Sequence, residues 1–275
     1  MQKKIAVIND LSGYGRCSLT VAIPVLSAMG HQCCLIPTAI LSNHTEFPVY
    51  FFDDYTEKMT TYTDKWKELG LSFDAIATGF LGSEAQIGIV MEIVQKLKAE
   101  KTFVVVDPVM GDHGHAYETY TPEMCEQMKE LVCMADVVLP NVTECCILTD
   151  TPYREENWTR KELLNMAMML RLMGAKSVVI TGVREGSCYT NVVLEQGQYD
   201  AKFIRTRSSG GERPGTGDVF SSVVAGALLN GKSLPEAVSQ AAGFVKECIK
   251  VSDEEQIPHA NGVCFEKILG KLIKK

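Results

Sequence analysis

Gly215-Thr216-Gly217-Asp218 runs directly into an apolar segment in which Val219, Phe220, Val223, Val224, Ala227 and Leu228 recur at helical spacing. A helix start leaves backbone N–H groups unpaired and aimed outward, and small residues there let a phosphate approach them closely. An aspartate at such a start repels an anion, so its presence asks for a specific job. That job is general base: Asp218 accepts the proton of a substrate hydroxyl while the N–H groups of 215–218 stabilise charge on a transferred phosphoryl group. A plain capping aspartate, favoured by the helix dipole, is the competing reading. On the tetrapeptide alone the two stand level.

Two other glycine-rich stretches offer weaker versions of this chemistry. Gly13-Tyr14-Gly15-Arg16-Cys17-Ser18 follows a strand-like run and opens a helix, like a dinucleotide fingerprint with its third glycine replaced. The second strand, however, ends in Leu41-Ser42-Asn43, with no acidic residue for a ribose hydroxyl. Gly226-Ala-Leu-Leu-Asn-Gly231-Lys232-Ser233 matches the P-loop pattern formally, but a P-loop must follow a strand and the residues before it have helical period. Gly231 therefore reads as a helix C-terminal glycine, and Ser233 with Glu236 as the capping box of the next helix.

The elements that must position these residues are short β-branched runs alternating with helical stretches, the pattern of a mostly parallel sheet covered on both faces. Strands are expected at Ile5–Asn9, Cys33–Ile40, Ala75–Thr78, Thr102–Asp107, Val137–Pro140 and Ser177–Thr181. Helix starts are expected at Ser83 with Gln86, at Thr159 with Glu162 and at Thr121-Pro122. Ser187–Leu194 and Tyr199–Thr206 read as an antiparallel edge hairpin, and Arg207–Pro214 as a mobile flap beside a site. The expectation is one doubly wound α/β domain over residues 1–275. Ligands in such sheets sit beyond the strands' carboxyl ends, where Asn9-Asp10-Leu11-Ser12, Gly79-Phe80-Leu81-Gly82, Asp107–Asp112, Asn141–Glu144 and Thr181-Gly182 lie.

Composition narrows the partners. With 27 Lys+Arg against 34 Asp+Glu the net charge is −7, which excludes a polyphosphate-wrapping surface and so nucleic acid. No apolar run approaches a membrane span, and the N-terminus lacks a signal-peptide pattern, so the expected location is cytoplasmic. The 10 cysteines show no CxxC or zinc-ligand spacing and are expected as free thiols. His113-Gly114-His115 has no third ligand nearby in the sequence and reads as a surface loop, and the Met-rich stretch Met166–Met173 as core packing.

Several of these segments are recognisable together. Ser42-Asn43-His44-Thr45, Thr78-Gly79-Phe80-Leu81-Gly82-Ser83, Val106-Asp107-Pro108-Val109-Met110-Gly111-Asp112, Pro140-Asn141-x-x-Glu144 and Gly215-Thr216-Gly217-Asp218 occur in this order. They resemble the ribokinase-like superfamily and, within it, the pyridoxal kinases of vitamin B6 salvage. The resemblance implies ATP-dependent phosphorylation of the 5′-hydroxymethyl group of pyridoxal, pyridoxine or pyridoxamine. Asp218 would be the base, with Gly215, Thr216 and Gly217 as the anion hole.

On the vitamer side the resemblance places Thr45 at the ring oxygen and Phe80 against the ring. The position facing the ring nitrogen falls on Asp10 in a gapless alignment, where the family carries a serine, and Ser12 lies two residues on. A carboxylate there favours a protonated pyridine nitrogen. On the nucleotide side it places Asp112, Asn141, Glu144 and Thr181, with Arg213 from the flap, near the phosphates. Asp107, Asp112 and Glu144 would face Mg²⁺, and a monovalent cation such as K⁺ and a homodimer are further family expectations. Competing structural readings are a core aromatic for Phe80, a strand-end turn for Asp107 and a first-turn helix charge for Glu144. A hydroxymethylpyrimidine kinase of the same superfamily and a silent B6-binding sensor on the same fold are the alternative functions.

Overall fold

The strand-like runs pair side by side in the computed structural model, which describes residues 2–273. The chain starts with β1 (Lys4–Ser12), α1 (Ser18–Ala28), β2 (Gln32–Leu41), β3 (Phe52–Asp54), α2 (Thr56–Glu68), β4 (Ala75–Thr78), α3 (Glu84–Leu97) and β5 (Phe103–Val106). A small hairpin, β6 (Gly111–Asp112) and β7 (His115–Ala116), precedes α4 (Pro122–Cys133), β8 (Val137–Val138), α5 (Val142–Leu148) and α6 (Arg160–Met173). Then come β9 (Ser177–Glu185), β10 (Cys188–Leu194), β11 (Lys202–Arg207), α7 (Thr216–Leu229) and α8 (Leu234–Glu254), followed by two 3-10 turns at His259–Asn261 and Glu266–Leu272.

Nine strands form one sheet in the order β11-β10-β9-β8-β5-β4-β1-β2-β3. β2, β1, β4, β5, β8 and β9 run parallel, and β3, β10 and β11 add antiparallel edges. Side chains alternate across the sheet. Ile5 and Val7 of β1 therefore join the core beneath α1, α7 and α8, whereas Ala6 and Ile8 join the core beneath α2–α6. Burial on both faces explains why the central strands read as unbroken apolar runs. From β1 the chain first builds outward to β2, then crosses back to β4 and onward, so the strand order reverses at β1. That reversal opens a crevice at the carboxyl ends of β1 and β4.

The structure adjusts several expected boundaries. β9 continues past Thr181 to Glu185 because its far half has β10 to pair with, Glu185 facing Cys188. β8 stops at Val138, before Leu139-Pro140, and β5 leaves Thr102 and Asp107 outside the ladder. β11 begins at Lys202 rather than Tyr199 and takes in Arg207, so the flap segment is 208–214. β3 and the β6–β7 hairpin are too short to carry a period that sequence could reveal. Thr159 and Glu162 form the expected reciprocal box. Ser83 caps Gln86, but the Gln86 side chain reaches back to the Gly82 N–H instead of closing the box. The ten cysteines are free. In α6 only one face of the methionine stretch is core: Met166 is buried while Met169 is 39% exposed. Among the described residues no helix is long and apolar enough to cross a membrane.

The P-loop-like stretch lies in a helix–turn–helix. α7 ends at Leu229, Gly231 makes the turn with φ +83°, and Ser233 caps α8 in a box with Glu236. Lys232→Ala, in this surface turn, is accordingly expected to change stability by less than about 0.5 kcal/mol in urea unfolding.

Candidate active site

Asn9, near the end of β1, organises the crevice. Its Oδ1 accepts the N–H groups of Asp10 (3.0 Å) and Phe80 (2.9 Å), and its Nδ2 donates to Asp218 Oδ1 at 3.2 Å. One buried amide thus joins the ends of β1 and β4 to the start of α7. A Cβ on Gly79 would overlap the Asn9 amide, so glycine is what lets Asn9 reach across. Asp218 also accepts the N–H of Ser18, whose hydroxyl donates to Asp10 Oδ1 in a short contact. Ser12 donates to Asp10 Oδ2 at 2.9 Å. Asp10 and Ser12 therefore form one hydrogen-bonded unit at the strand end.

The electrostatics of this cluster are unusual for an acidic crevice with few cations. Desolvation pushes Asp218 up to about 6, with the Asp10 charge adding to it and the Ser18 and Asn9 donors opposing. Burial raises Asp10 too, against the donors Ser18 and Ser12. A carboxylate held near neutral pKa in a cleft is poised to take a proton.

Gly215 precedes α7 in the left-handed conformation at φ +78°, and a Cβ there would overlap the Arg16 carbonyl oxygen. The glycine loop at 13–16 thus packs directly against the helix start, where the Thr216 N–H turns back to the Arg213 carbonyl (3.4 Å). A strap from Ile257 to Glu266 fixes this arrangement. Arg16 donates to the Asn261 carbonyl (3.0 Å) and pairs with Glu266 (2.7 Å), and His44 Nε2 donates to the Ala260 carbonyl (2.8 Å). Val263 N–H donates to Pro214, and His259 to the Glu212 carbonyl. Arg213 is taken up in the same strap, bonding the Ile257 carbonyl (2.8 Å) and Asp253 (2.9 Å) with only 11% of its side chain exposed.

A second group of carboxylates lies beyond β5 and β8. Asp107 faces Asp218 electrostatically and accepts from Ser221, and burial beside Asp218 raises its pKa. Glu144 is 3% exposed and fully engaged: one oxygen accepts Met110 N–H (3.2 Å), the other Asn141 N–H (2.7 Å). Asn141 caps α5 and donates to the Gly111 carbonyl at 2.8 Å, so the pair holds the β6–β7 hairpin over the strand ends. Glu144→Ala would orphan two N–H groups. A loss of roughly 2–4 kcal/mol in urea unfolding is expected. Thr181 bridges to Asn141 across the strand ends, and Asp112 is exposed on the hairpin next to His113.

The structure thus brings together Asp10, Ser12, Phe80 and Asp218 on one side and Asp107, Asn141, Glu144, Thr181 and Asp112 on the other. Thr45 stands apart, exposed on the loop between β2 and β3, and half-buried Phe80 is tied in by its backbone through Asn9 and Thr38. Sequence reasoning missed Asn9, Ser18, Ser221 and the strap. Asn9 sat in plain view at a strand end, but its partners are 71 and 209 residues away. Among the described residues no three His, Cys, Asp or Glu side chains converge as a cage for a metal ion. Asp107 and Asp112 offer carboxylate oxygens of the kind a hard cation such as Mg²⁺ takes, whereas both oxygens of Glu144 are already occupied.

The sequence profile of phosphomethylpyrimidine kinase matches residues 23–264. The chain belongs to that family. This kinase is 39% identical to a Bacteroides thetaiotaomicron protein provisionally named a phosphomethylpyrimidine kinase and crystallised with pyridoxal. The two superpose with a TM-score of 0.94 over 99% of this chain and 96% of that one. It is 30% identical over 225 residues to the pyridoxine kinase of Bacillus subtilis, covering 76% of this chain and 74% of that one. With the hydroxymethylpyrimidine/phosphomethylpyrimidine kinase of Aquifex aeolicus it shares 32% over 174 residues, 62% of this chain and 66% of that one. The family thus joins vitamin B6 kinases and hydroxymethylpyrimidine kinases, and this kinase has the ribokinase-like α/β fold expected of both.

Proposed function

We propose that this kinase transfers the γ-phosphoryl group of ATP to the 5′-hydroxymethyl group of pyridoxal, pyridoxine or pyridoxamine. The observation that carries the reading is Asp218 at the start of α7, held by Asn9 and Ser18 within the hydrogen-bonded cluster that contains Asp10 and Ser12. The likeness to a protein crystallised with pyridoxal supports the choice of vitamer. Asp218 takes the hydroxyl proton as the oxygen attacks. The N–H groups at Gly215, Thr216 and Gly217 meet the charge spreading over the transferred group.

Asp10, with Ser12 behind it, meets the ring nitrogen and Phe80 lines the ring pocket, which Thr45 would join only with the loop between β2 and β3 drawn in. Asp107 and Asp112 would hold Mg²⁺ together with the nucleotide phosphates. Glu144 and Asn141 keep the hairpin that carries Asp112 in place, with Thr181 beside them. The ion, when bound, neutralises phosphate charge. Arg213 anchors the flap to α8 and, released from Asp253, would reach the nucleotide. The protein acts as one domain, a cytoplasmic homodimer.

A coupled ADP-release assay with the three vitamers and with hydroxymethylpyrimidine tests the assignment. Turnover of at least one vitamer with kcat/KM above that for the pyrimidine is expected. A preference for the pyrimidine, the substrate class after which the matched family is named, would reverse it. Absence of ADP release with every substrate would leave a binding protein. The base must be ionised to work, so kcat/KM is expected to fall as pH drops through about 6 and to level off above it. A pH–rate profile flat from 5 to 8 would remove Asp218 from that role.

A further inference from the structure

Ser18, the first residue of α1, holds a φ of +51° while only 6% exposed. The other four non-glycine residues with positive φ among those described, His113, Asp150, Asn157 and Gln256, are all exposed. Few non-glycine residues adopt this conformation, and glycine would adopt it without strain. A buried serine persists there because its surroundings demand it, and such strain gathers at functional sites. What serine adds over glycine is one hydroxyl, which donates to Asp10 Oδ1, while the Ser18 N–H donates to Asp218.

Two bridges therefore join Asp10 to Asp218, and they do different things. Asn9 accepts the Asp10 backbone N–H and donates to Asp218, which fixes the strand end against the base. Of these donors, Ser18 alone reaches both carboxylates. We propose that Ser18 is a specificity-determining positioning residue, which holds the carboxylate that meets the ring nitrogen in fixed register with the base. A ring anchored at Asp10 then carries its 5′-hydroxyl to Asp218. Without the Ser18 hydroxyl, Ser12 on Oδ2 is the one side-chain donor left to Asp10 among the described residues, and the Asp10 carboxylate gains freedom to turn. The anchor loosens while the base keeps its bonds from Asn9 and the Ser18 N–H. This role rests on the proposed parts of Asp10 and Asp218 in the reaction.

Steady-state kinetics of the parent, Ser18→Gly and Ser18→Ala test it on the best vitamer and on its carbocyclic analogue, in which C–H replaces the ring nitrogen. Both variants lack the hydroxyl and keep the N–H, and Ser18→Gly suits the positive φ, so it keeps the fold even where Ser18→Ala does not. The parent is expected to favour the vitamer by about 10²-fold in kcat/KM, the scale of one charge-assisted hydrogen bond. The variants should lower kcat/KM about tenfold for the vitamer and less than about twofold for the carbocyclic analogue, with KM for ATP within about twofold of the parent. Equal losses with the two substrates overturn the proposal, since a residue that merely shapes the site harms both alike. So does parent-like selectivity in Ser18→Gly. A parent that does not distinguish the two substrates removes the Asp10 contact as well, whereas a discriminating parent with equal losses in the variants removes the role of Ser18 alone. A parent that turns over no vitamer removes the proposed function together with this role.

Discussion

Asp218→Asn is expected to lower kcat by about 10²–10⁴-fold, the range for a lost general base, while the protein stays folded and becomes no less stable. The stability half follows from the sign of the shift. Desolvation and Asp10 raise Asp218 from 3.8 to about 6, so the folded state holds its proton more tightly than the unfolded chain does. Ionisation therefore costs stability, a cost absent below the unfolded value and complete above about pH 6. An uncharged amide at 218 removes it. Thermal unfolding at pH 4 and pH 8 should show a Tm gain over the parent at the higher pH and little at the lower. Activity lost together with a gain in Tm would identify a residue kept for function, since a merely structural cap would lose stability instead. Near-parental ADP release would sink the base assignment.

Gly215→Ala is the second large effect. Two penalties coincide there: a left-handed backbone at φ +78° and a Cβ that overlaps the Arg16 carbonyl oxygen. Relief requires the 13–16 loop and the start of α7 to part, which misdirects the N–H groups offered to phosphate. A loss of roughly 2–4 kcal/mol in stability is expected from strain and overlap. A drop of about 10²-fold in kcat/KM for ATP accompanies it, since small displacements of positioning groups are costly. Gly217 is the control, because a Cβ there meets nothing within 4 Å. Gly217→Ala should unfold at the parent's denaturant midpoint, and equal destabilisation of both variants would show that packing against Arg16 is not what Gly215 serves.

How far the sequence could be read depends on the range of the interactions involved. The parallel strands announced themselves because both their faces are buried, and the starts of α4, α6 and α8 because capping is decided within four residues. The dismissal of the P-loop match at Gly226–Ser233 rested on helical period in the same way. β3, three residues long and paired only with β2, had no period to show. The helix start at Gly215-Thr216-Gly217-Asp218 was legible because its glycines and the apolar period that follows are local signals. Asn9 was not, since an asparagine at a strand end looks the same whether or not it joins three elements. The capture of Arg213 by Asp253 of α8 and by Ile257 was also out of reach, as those partners lie 40 and 44 residues on.

The strap from Ile257 to Glu266 also bears on how the kinase is made. The Arg16 loop that abuts Gly215 waits for Asn261 and Glu266, partners 245 and 250 positions later in the chain. Synthesis proceeds from the N-terminus, and segments fold as they emerge. β1, β2 and β4 can pair early and Gly13 can bond Leu41, but the Arg16 end of the glycine loop lacks its partners until the strap has left the ribosome. Nascent chains therefore carry a sheet before they carry a closed site, and a polypeptide stalled short of residue 257 would fold much of its core with the start of α7 unbraced.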